Sequence, residues 1–286
     1  MKHLTFLLLL ISFPSFAEIK GTIKDEAGYA VSFTNVYIEN IGLTTTTGRF
    51  SFPDETEGQM LVIYACGFEI KKVIAEKNND IVLTSIERKE VSKAFIPKNN
   101  IAIEHGKVEV NIEKSAIYNP DMYCTMIAKY FPEAGGKNKK RYIKSVNISF
   151  LHLMYSDIES QDPRIRIRLF GTNKDGSPGT EIYYEDVLVS VAKRKLSKSF
   201  EKYVIEFPEN GIFVAVEWIK IPVNMRNLAD ESAQEVLTPP IIIVPSENPS
   251  WQFSHEWSAT SRTEKNKKNP FSNKFGEPAI SITLTD

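Results

Sequence analysis

The sequence predicts an all-β protein made of two antiparallel sandwiches. Short runs of alternating apolar and polar residues recur along most of the chain, which is the period of a half-buried strand. Gly, Asp and Pro clusters separate those runs at close intervals, as turns do. The aromatic content, 17 Phe and 11 Tyr, favours strand-rich packing. With 286 residues the chain is long enough for two domains, and its 42% hydrophobic content supplies cores for both.

Residues 1–17 read as a secretory leader. Lys2 opens it, Leu4 to Ile11 is an apolar run, and Ser15-Phe16-Ala17 is a small-x-small cleavage signal, so cleavage is expected after Ala17. The apolar run is too short to span a bilayer, and no Cys follows the signal to take a lipid anchor. Later apolar stretches such as Pro239 to Pro245 are also too short, so no transmembrane segment is expected after cleavage. The expected location is exported: periplasmic, outer-membrane-associated or extracellular.

Residues 18–85 read as the first sandwich. Gly21 to Lys24 alternates as a strand, and Asp25-Glu26-Ala27-Gly28 is a turn in which Asp can bond its own backbone. A second strand follows, with Val31, Phe33, Asn35 and Tyr37 on one side and Val36 and Ile38 on the other. Gly42 and Gly48 bracket four threonines, Thr44 to Thr47. Phe50 and Phe52 then share one face of the next strand. Leu61 to Tyr64 is a further strand ended by Gly67, and Ile81-Val82-Leu83 closes the unit.

The residues Gly21, Ile23, Asp25, Gly28, Val31, Asn35, Val36, Thr44, Gly48, Phe50, Gly67 and Phe68 form a pattern that resembles the carboxypeptidase regulatory-domain-like family. The resemblance implies a transthyretin-like β-sandwich of the kind common in envelope proteins of Bacteroidetes-type bacteria. It implies an accessory domain and not the catalytic part of a peptidase; the peptidase zinc pattern is not carried. Many members have Asp directly after the first Thr, where this chain has Thr45, a weaker support for the turn. The Leu83 to Val91 passage is similar to one that follows this domain in outer-membrane receptors, but no plug or large barrel pattern comes after it.

Residues 86–100 are charged and turn-rich and read as a linker. Residues 101–286 read as the second sandwich, of jelly-roll type. Strands are expected in 101–112, 145–155, 164–170, 182–191, 203–207 and 212–219, with Asp162-Pro163, Asp175 to Gly179 and Pro208 to Gly211 as turns. One short helix is expected over Asp121 to Phe131, with Met122, Met126 and Tyr130 on one stripe. The order strand, D-G-x-P-G, strand, G-x-F-V-x-V-E-W also looks like the C-terminal half of envelope proteins that carry the same N-terminal domain.

Chemistry-bearing residues are few. No G-x-S-x-G elbow, H-E-x-x-H helix or phosphate-cradling glycine loop is present, so no catalytic residue is assigned. His105, His152 and His255 lack a second His or Cys at ligand spacing, so no metal or other cofactor is expected, and His152 reads as a strand histidine. His255-Glu256 is the one acid/base pair near aromatics, and it is the only candidate for an unrecognised hydrolase. Cys66 and Cys124 could pair in an exported chain, or stand as separate buried thiols.

Two stretches suggest binding. Trp251, Phe253, His255 and Trp257 share one face if they lie on one strand; they either stack on sugar rings or plug the core. Arg164, Arg166 and Arg168 alternate with Ile165, Ile167 and Leu169, giving a basic face for an anion or acidic glycan, or a charged face turned to water. The balance of 35 basic and 36 acidic residues exerts no global pull on nucleic acid. The basic stretches Lys137 to Lys144 and Lys193 to Lys202 lack interleaved stacking aromatics and read as solvated loops. The function expected from these features is an exported, non-catalytic binding or interaction module of the cell envelope, with an envelope protein or a glycan as partner; the alternative is a carbohydrate-binding protein that uses the C-terminal tryptophans.

Overall fold

A computed structural model describes residues 18–39, 41–86, 102–118, 125–134, 140–151, 163–182, 187–191, 194–226, 236–237, 239–266 and 268–286. The leader, the 87–100 part of the linker, residue 101, Cys124 and His152 lie outside the described residues. The all-β expectation holds: beyond strands, the described residues contain three short 3-10 turns.

The first sandwich holds β1 (Glu18–Asp25), β2 (Thr34–Ile38), β3 (Ile41–Thr45), β4 (Arg49–Pro53), β5 (Met60–Tyr64), β6 (Lys71–Ile74) and β7 (Asn78–Leu83). One sheet has the order β4-β1-β7 and the other β3-β2-β5-β6. Every pairing is antiparallel except β1 with β7, which run parallel. The core between the sheets is Ile19, Ile23, Val36, Ile38, Phe50, Phe52, Leu61, Ile63, Ile81 and Leu83 with a few smaller neighbours. Phe50 and Phe52 both enter it, as their spacing predicts.

The local chemistry of the turns is legible. Asp25 Oδ1 accepts from Ala27 N (3.0 Å) and Tyr29 N (2.8 Å), and Gly28 supplies a φ of 86°. Gly21 lies opposite Phe50, where any side chain would run into the Phe50 ring. Thr45 Oγ1 accepts from Thr47 N at 3.3 Å, a long bond for a turn cap. The second strand is shorter than its alternation suggests. Phe33 adopts a φ of 53°, a left-handed conformation costly for a bulky residue, and the strand starts at Thr34.

The second sandwich holds β8 (Ile103–His105), β9 (Ala116–Tyr118), β10 (Met126–Phe131), β11 (Tyr142–Ser149), β12 (Arg164–Thr172), β13 (Pro178–Glu181), β14 (Val187–Ser190), β15 (Lys195–Ser199), β16 (Ile212–Trp218), β17 (Met225–Arg226), β18 (Val236–Leu237), β19 (Ile241–Ser246), β20 (Trp251–Phe253), β21 (Trp257–Ala259), β22 (Phe275–Pro278) and β23 (Ile280–Thr285). The large sheet runs β13-β12-β16-β10-β20-β21, with β14 also on β12. Facing it are the sheets β15-β11-β23-β8 and β22-β19-β9, joined by a bridge between Phe150 and Ile241. The core between them is apolar and includes Ile127, Phe131, Val146, Ile148, Ile165, Ile167, Val214, Trp218, Ile280 and Ile282.

Several expectations are corrected. Met126–Phe131 is a strand paired on both edges, with β16 and β20, and not a helix; tertiary pairing overrides the weak helical stripe. The 195–199 part of the second basic stretch is a strand, not a loop. Residues 203–207 form only an isolated bridge at Glu206.

Candidate functional site

The two sandwiches pack against each other through one sheet of each. On β2 and β5, Val36, Ile38, Leu61 and Ile63 face the first core, so Asn35, Tyr37, Val62 and Tyr64 face the other way. They meet the outer face of the large sheet: Met126 and Ala128 on β10, Phe170 on β12, Phe213 and Ala215 on β16, and Phe253 on β20. The result is a stack of sheets with a third apolar cluster as its seam. β2 is buried at every position because both its faces are covered.

The seam carries charge at its centre. Arg166 and Arg168 on β12 and Glu217 on β16 point into it, and Glu181 closes β13; all four side chains are under a tenth exposed. Glu217 Oε2 accepts from Arg166 Nη1 (3.1 Å), with Arg168 Nη1 at 3.6 Å. Glu217 Oε1 accepts from Asn35 Nδ2 of the first sandwich (2.5 Å). Asn35 Oδ1 in turn accepts from Thr44 Oγ1 (2.6 Å), and Thr44 Oγ1 accepts from Lys220 N (2.6 Å). Arg166 Nη2 donates to the carbonyl of Phe33 (3.0 Å), the residue held at positive φ. Glu181 takes a bidentate grip from Arg168 Nε and Nη2, both 2.8 Å, and also accepts from Gly67 N (3.3 Å), with Cys66 Sγ at 3.6 Å. Burial works against the Arg168 charge, but Glu181 and then Glu217 outweigh it and hold its pKa above the ordinary arginine value.

The open basic face expected of the alternating arginines is therefore not formed. Arg164 is exposed at the strand end, but Arg166 and Arg168 are spent on carboxylates inside the seam. Trp251, Phe253, His255 and Trp257 do not lie on one strand. They form the hairpin β20–β21, with Trp251 opposite Ala259 and Phe253 opposite Trp257. His255 sits in its turn at a φ of 70°, edge-on to Tyr37 with ring centroids 5.4 Å apart. Trp251 meets Phe213 edge-on, and Trp257 meets both Phe170 and Phe253 at 5.3 Å. Glu256 is exposed beside His255 in the hairpin turn. His105 Nε2 donates to the Pro132 carbonyl (2.9 Å), between the rings of Phe131 and Phe207. Among the described residues no three His, Cys, Asp or Glu side chains gather as a metal site. Among them, too, no helix is long and apolar enough to cross a membrane.

At one end the seam opens into a cleft of about 490 Å³. Its floor is Tyr64, Met126, Arg168, Glu181 and Phe253; its rim is Phe68, Glu69, Ile70 and Ile86 from the first sandwich and Phe170, Asn173, Pro178 to Thr180 and Trp257 from the second. Burial, then the nearby Tyr37 and Glu217, push the Tyr64 hydroxyl well above its ordinary pKa, so it stays a neutral phenol sharing a 2.5 Å hydrogen bond with Thr125 Oγ1. Sequence reasoning singled out Phe253, Trp257 and Arg168 but missed Tyr64, Glu181 and Glu217. The available signal was the unbroken apolar run around Glu217, since a strand covered on both faces reads that way.

No known family model matches the sequence, and a search of curated proteins gives no match. Among solved structures, the chain is similar to the crystal structure of the cysteine protease and lectin-like domains of Cwp84, a surface layer associated protein of Clostridium difficile. The identity is 12% and the TM-score 0.34, over 62% of this chain and 37% of that one. A likeness at that level assigns neither a ligand nor an activity.

Proposed function

We propose that this protein is an exported, non-catalytic binding module of the cell envelope, and that its ligand enters the cleft between the two sandwiches. The observation that carries this reading is the cleft itself. It is concave, walled by five aromatic rings, and its buried charges are already paired with one another. Concave apolar sites with a few fixed polar groups are where ligands bind. An acid or base for catalysis needs a free proton position, and the Arg168–Glu181 pair has spent its own on mutual hydrogen bonds.

The first sandwich fits the carboxypeptidase regulatory-domain-like type in an accessory role. Three residues of that pattern, Asn35, Thr44 and Gly67, turn toward the second sandwich and hold its carboxylates and backbone. In this reading the first sandwich builds one wall of a shared site. Export rests on the leader pattern, and cleavage after Ala17 would leave β1, which starts at Glu18, whole.

A photo-crosslinking residue placed at exposed Thr180, in the native cells, tests the reading. Thr180 should yield a covalent adduct that the same residue at exposed Ile117 does not. Equal labelling at both positions, or none at Thr180, would overturn it. N-terminal sequencing of the cellular protein should begin at Glu18; a retained Met1 would remove the export part.

A further inference from the structure

Resting on that reading, we infer that the cleft takes an uncharged, hydroxyl-rich ring, a neutral saccharide, with Trp257 as its stacking platform and a rim of acceptors for its hydroxyls. The charge of the site decides the class. Among the described residues Arg168 is the one cation lining the cleft, and Glu181 grips it through two 2.8 Å bonds. An anionic ligand would have to pull that guanidinium out of a buried bidentate pair, which is strongly unfavourable. It would also meet the exposed Glu69 carboxylate at the rim. The acidic glycan that three alternating arginines would suit is thus disfavoured by the way two of them are buried.

The rim that remains offers acceptors. Asn173 spends its Nδ2 on Ser177 Oγ (3.0 Å) and the Pro178 carbonyl (3.1 Å), which leaves its Oδ1 as the acceptor. Gly179 stands beside that oxygen; a Cβ there would lie 2.7 Å from it, so the absence of a side chain leaves the acceptor uncovered. Glu69 and Thr180 are exposed residues lining the same cleft. Sugar hydroxyls donate to such a set, and the apolar C–H face of a pyranose needs a flat ring to lie on. Trp257 is half-buried, with Phe170 and Phe253 edge-on against it, so its neighbours fix the plane and leave part of the ring open to the cleft. Trp251 is not in the cleft: it serves the seam against Phe213.

The test is calorimetric titration of the full chain, with tryptophan fluorescence read in parallel. The probes are neutral hexose trisaccharides of α and β linkage, and a uronate trisaccharide as the acidic counterpart. A neutral sugar should bind at millimolar concentration or tighter and shift the fluorescence, while the uronate should bind at least tenfold more weakly. Trp257→Ala should weaken the neutral sugar about tenfold or more, the loss of one stacking contact. Because Trp257 also packs on Phe170, the exposed Glu69→Lys provides a second variant that keeps the packing. It should lower neutral affinity and narrow the gap to the uronate. Tighter uronate binding in the native chain, or no neutral sugar bound at millimolar concentration, would overturn the inference. The crosslink at Thr180 would still stand in either case, and its failure alone would remove the cleft as a site.

Discussion

The core of the second sandwich and the seam between the two sandwiches share the strands of the large sheet, one face each, and they differ in how much charge sits at their centre. On β12, Ile165, Ile167 and Leu169 enter a largely apolar core, beside which the buried Lys129 is paired with Glu277. The residues between them, Arg166 and Arg168, enter the seam and pair with Glu217 and Glu181, and Asn35 holds Glu217 in turn. The core within the sandwich needs only apolar surface of roughly the right volume. The seam joins two units far apart in sequence, and apolar surface alone would not fix how they sit. Buried pairs that are satisfied only in one register specify that arrangement, at the cost of desolvating four charges.

The largest effect should come from breaking the charge centre. Glu217→Gln keeps the shape and removes the charge that faces Arg166 and Arg168. Both guanidiniums stay buried, so the loss should be about 3–5 kcal/mol, the range for a buried pair stripped of one partner. Denaturant unfolding measures it, and a loss no larger than that of a surface substitution would mean the seam is not a specific contact. The defect should also appear as a second transition, as the sandwiches uncouple and unfold separately.

Asn35→Ala comes next. It removes the one side chain that connects Glu217 to Thr44, and leaves an acceptor on Glu217 without its bond. A buried polar group left unsatisfied costs about 1–3 kcal/mol. Denaturant melts of Asn35→Ala, Glu217→Gln and the double variant form a cycle; if the two residues share one network, the double variant should lose less than the sum.

These residues also mark how far the sequence could be read. The class, the turn at Asp25, the inward pair Phe50 and Phe52 and the strands β12 and β16 of the large sheet follow from apolar patterning and turn chemistry, which act locally. The fate of Arg166 and Arg168 does not. An alternating Arg/Ile strand looks the same whether its polar face meets water or a second domain, because what covers that face lies more than a hundred residues away at Asn35 and Phe33. The hairpin at Trp251 was hidden for a related reason: Ser254, His255 and Glu256 turn without Gly or Pro, through a positive φ at His255 that its sequence context does not announce. Of the cleft, Phe253, Trp257 and Arg168 were visible as residue types; their meeting with Tyr64 and Glu181 depends on the docking of the sandwiches.

Tyr64 sharpens the comparison through pH. Its hydroxyl keeps its proton in the folded seam, whereas in the unfolded chain it ionises near its ordinary value of 10.0. Above about pH 10 the folded state therefore binds more protons than the unfolded one, and stability falls as pH rises. Tyr64→Phe should cost about 0.5–1.5 kcal/mol at neutral pH, through the lost bond to Thr125. It should also flatten the alkaline limb of the stability profile. An alkaline limb identical to that of the native chain would place the titrating group elsewhere.

The smallest effect tests the other face of β12. Ile167 lies between Arg166 and Arg168 and points into the apolar core, 2% exposed. Ile167→Val removes one buried methyl and should cost about 0.5–1.5 kcal/mol, with the backbone and both arginine pairs unmoved. Its unfolding should remain a single transition and its sugar titration should match that of the native chain, because a small void in a core of interchangeable apolar side chains relaxes locally. If Ile167→Val instead uncoupled the sandwiches as Glu217→Gln is expected to, then strand position would govern docking more than charge pairing. The contrast between the two faces of β12 would then be one of degree and not of kind.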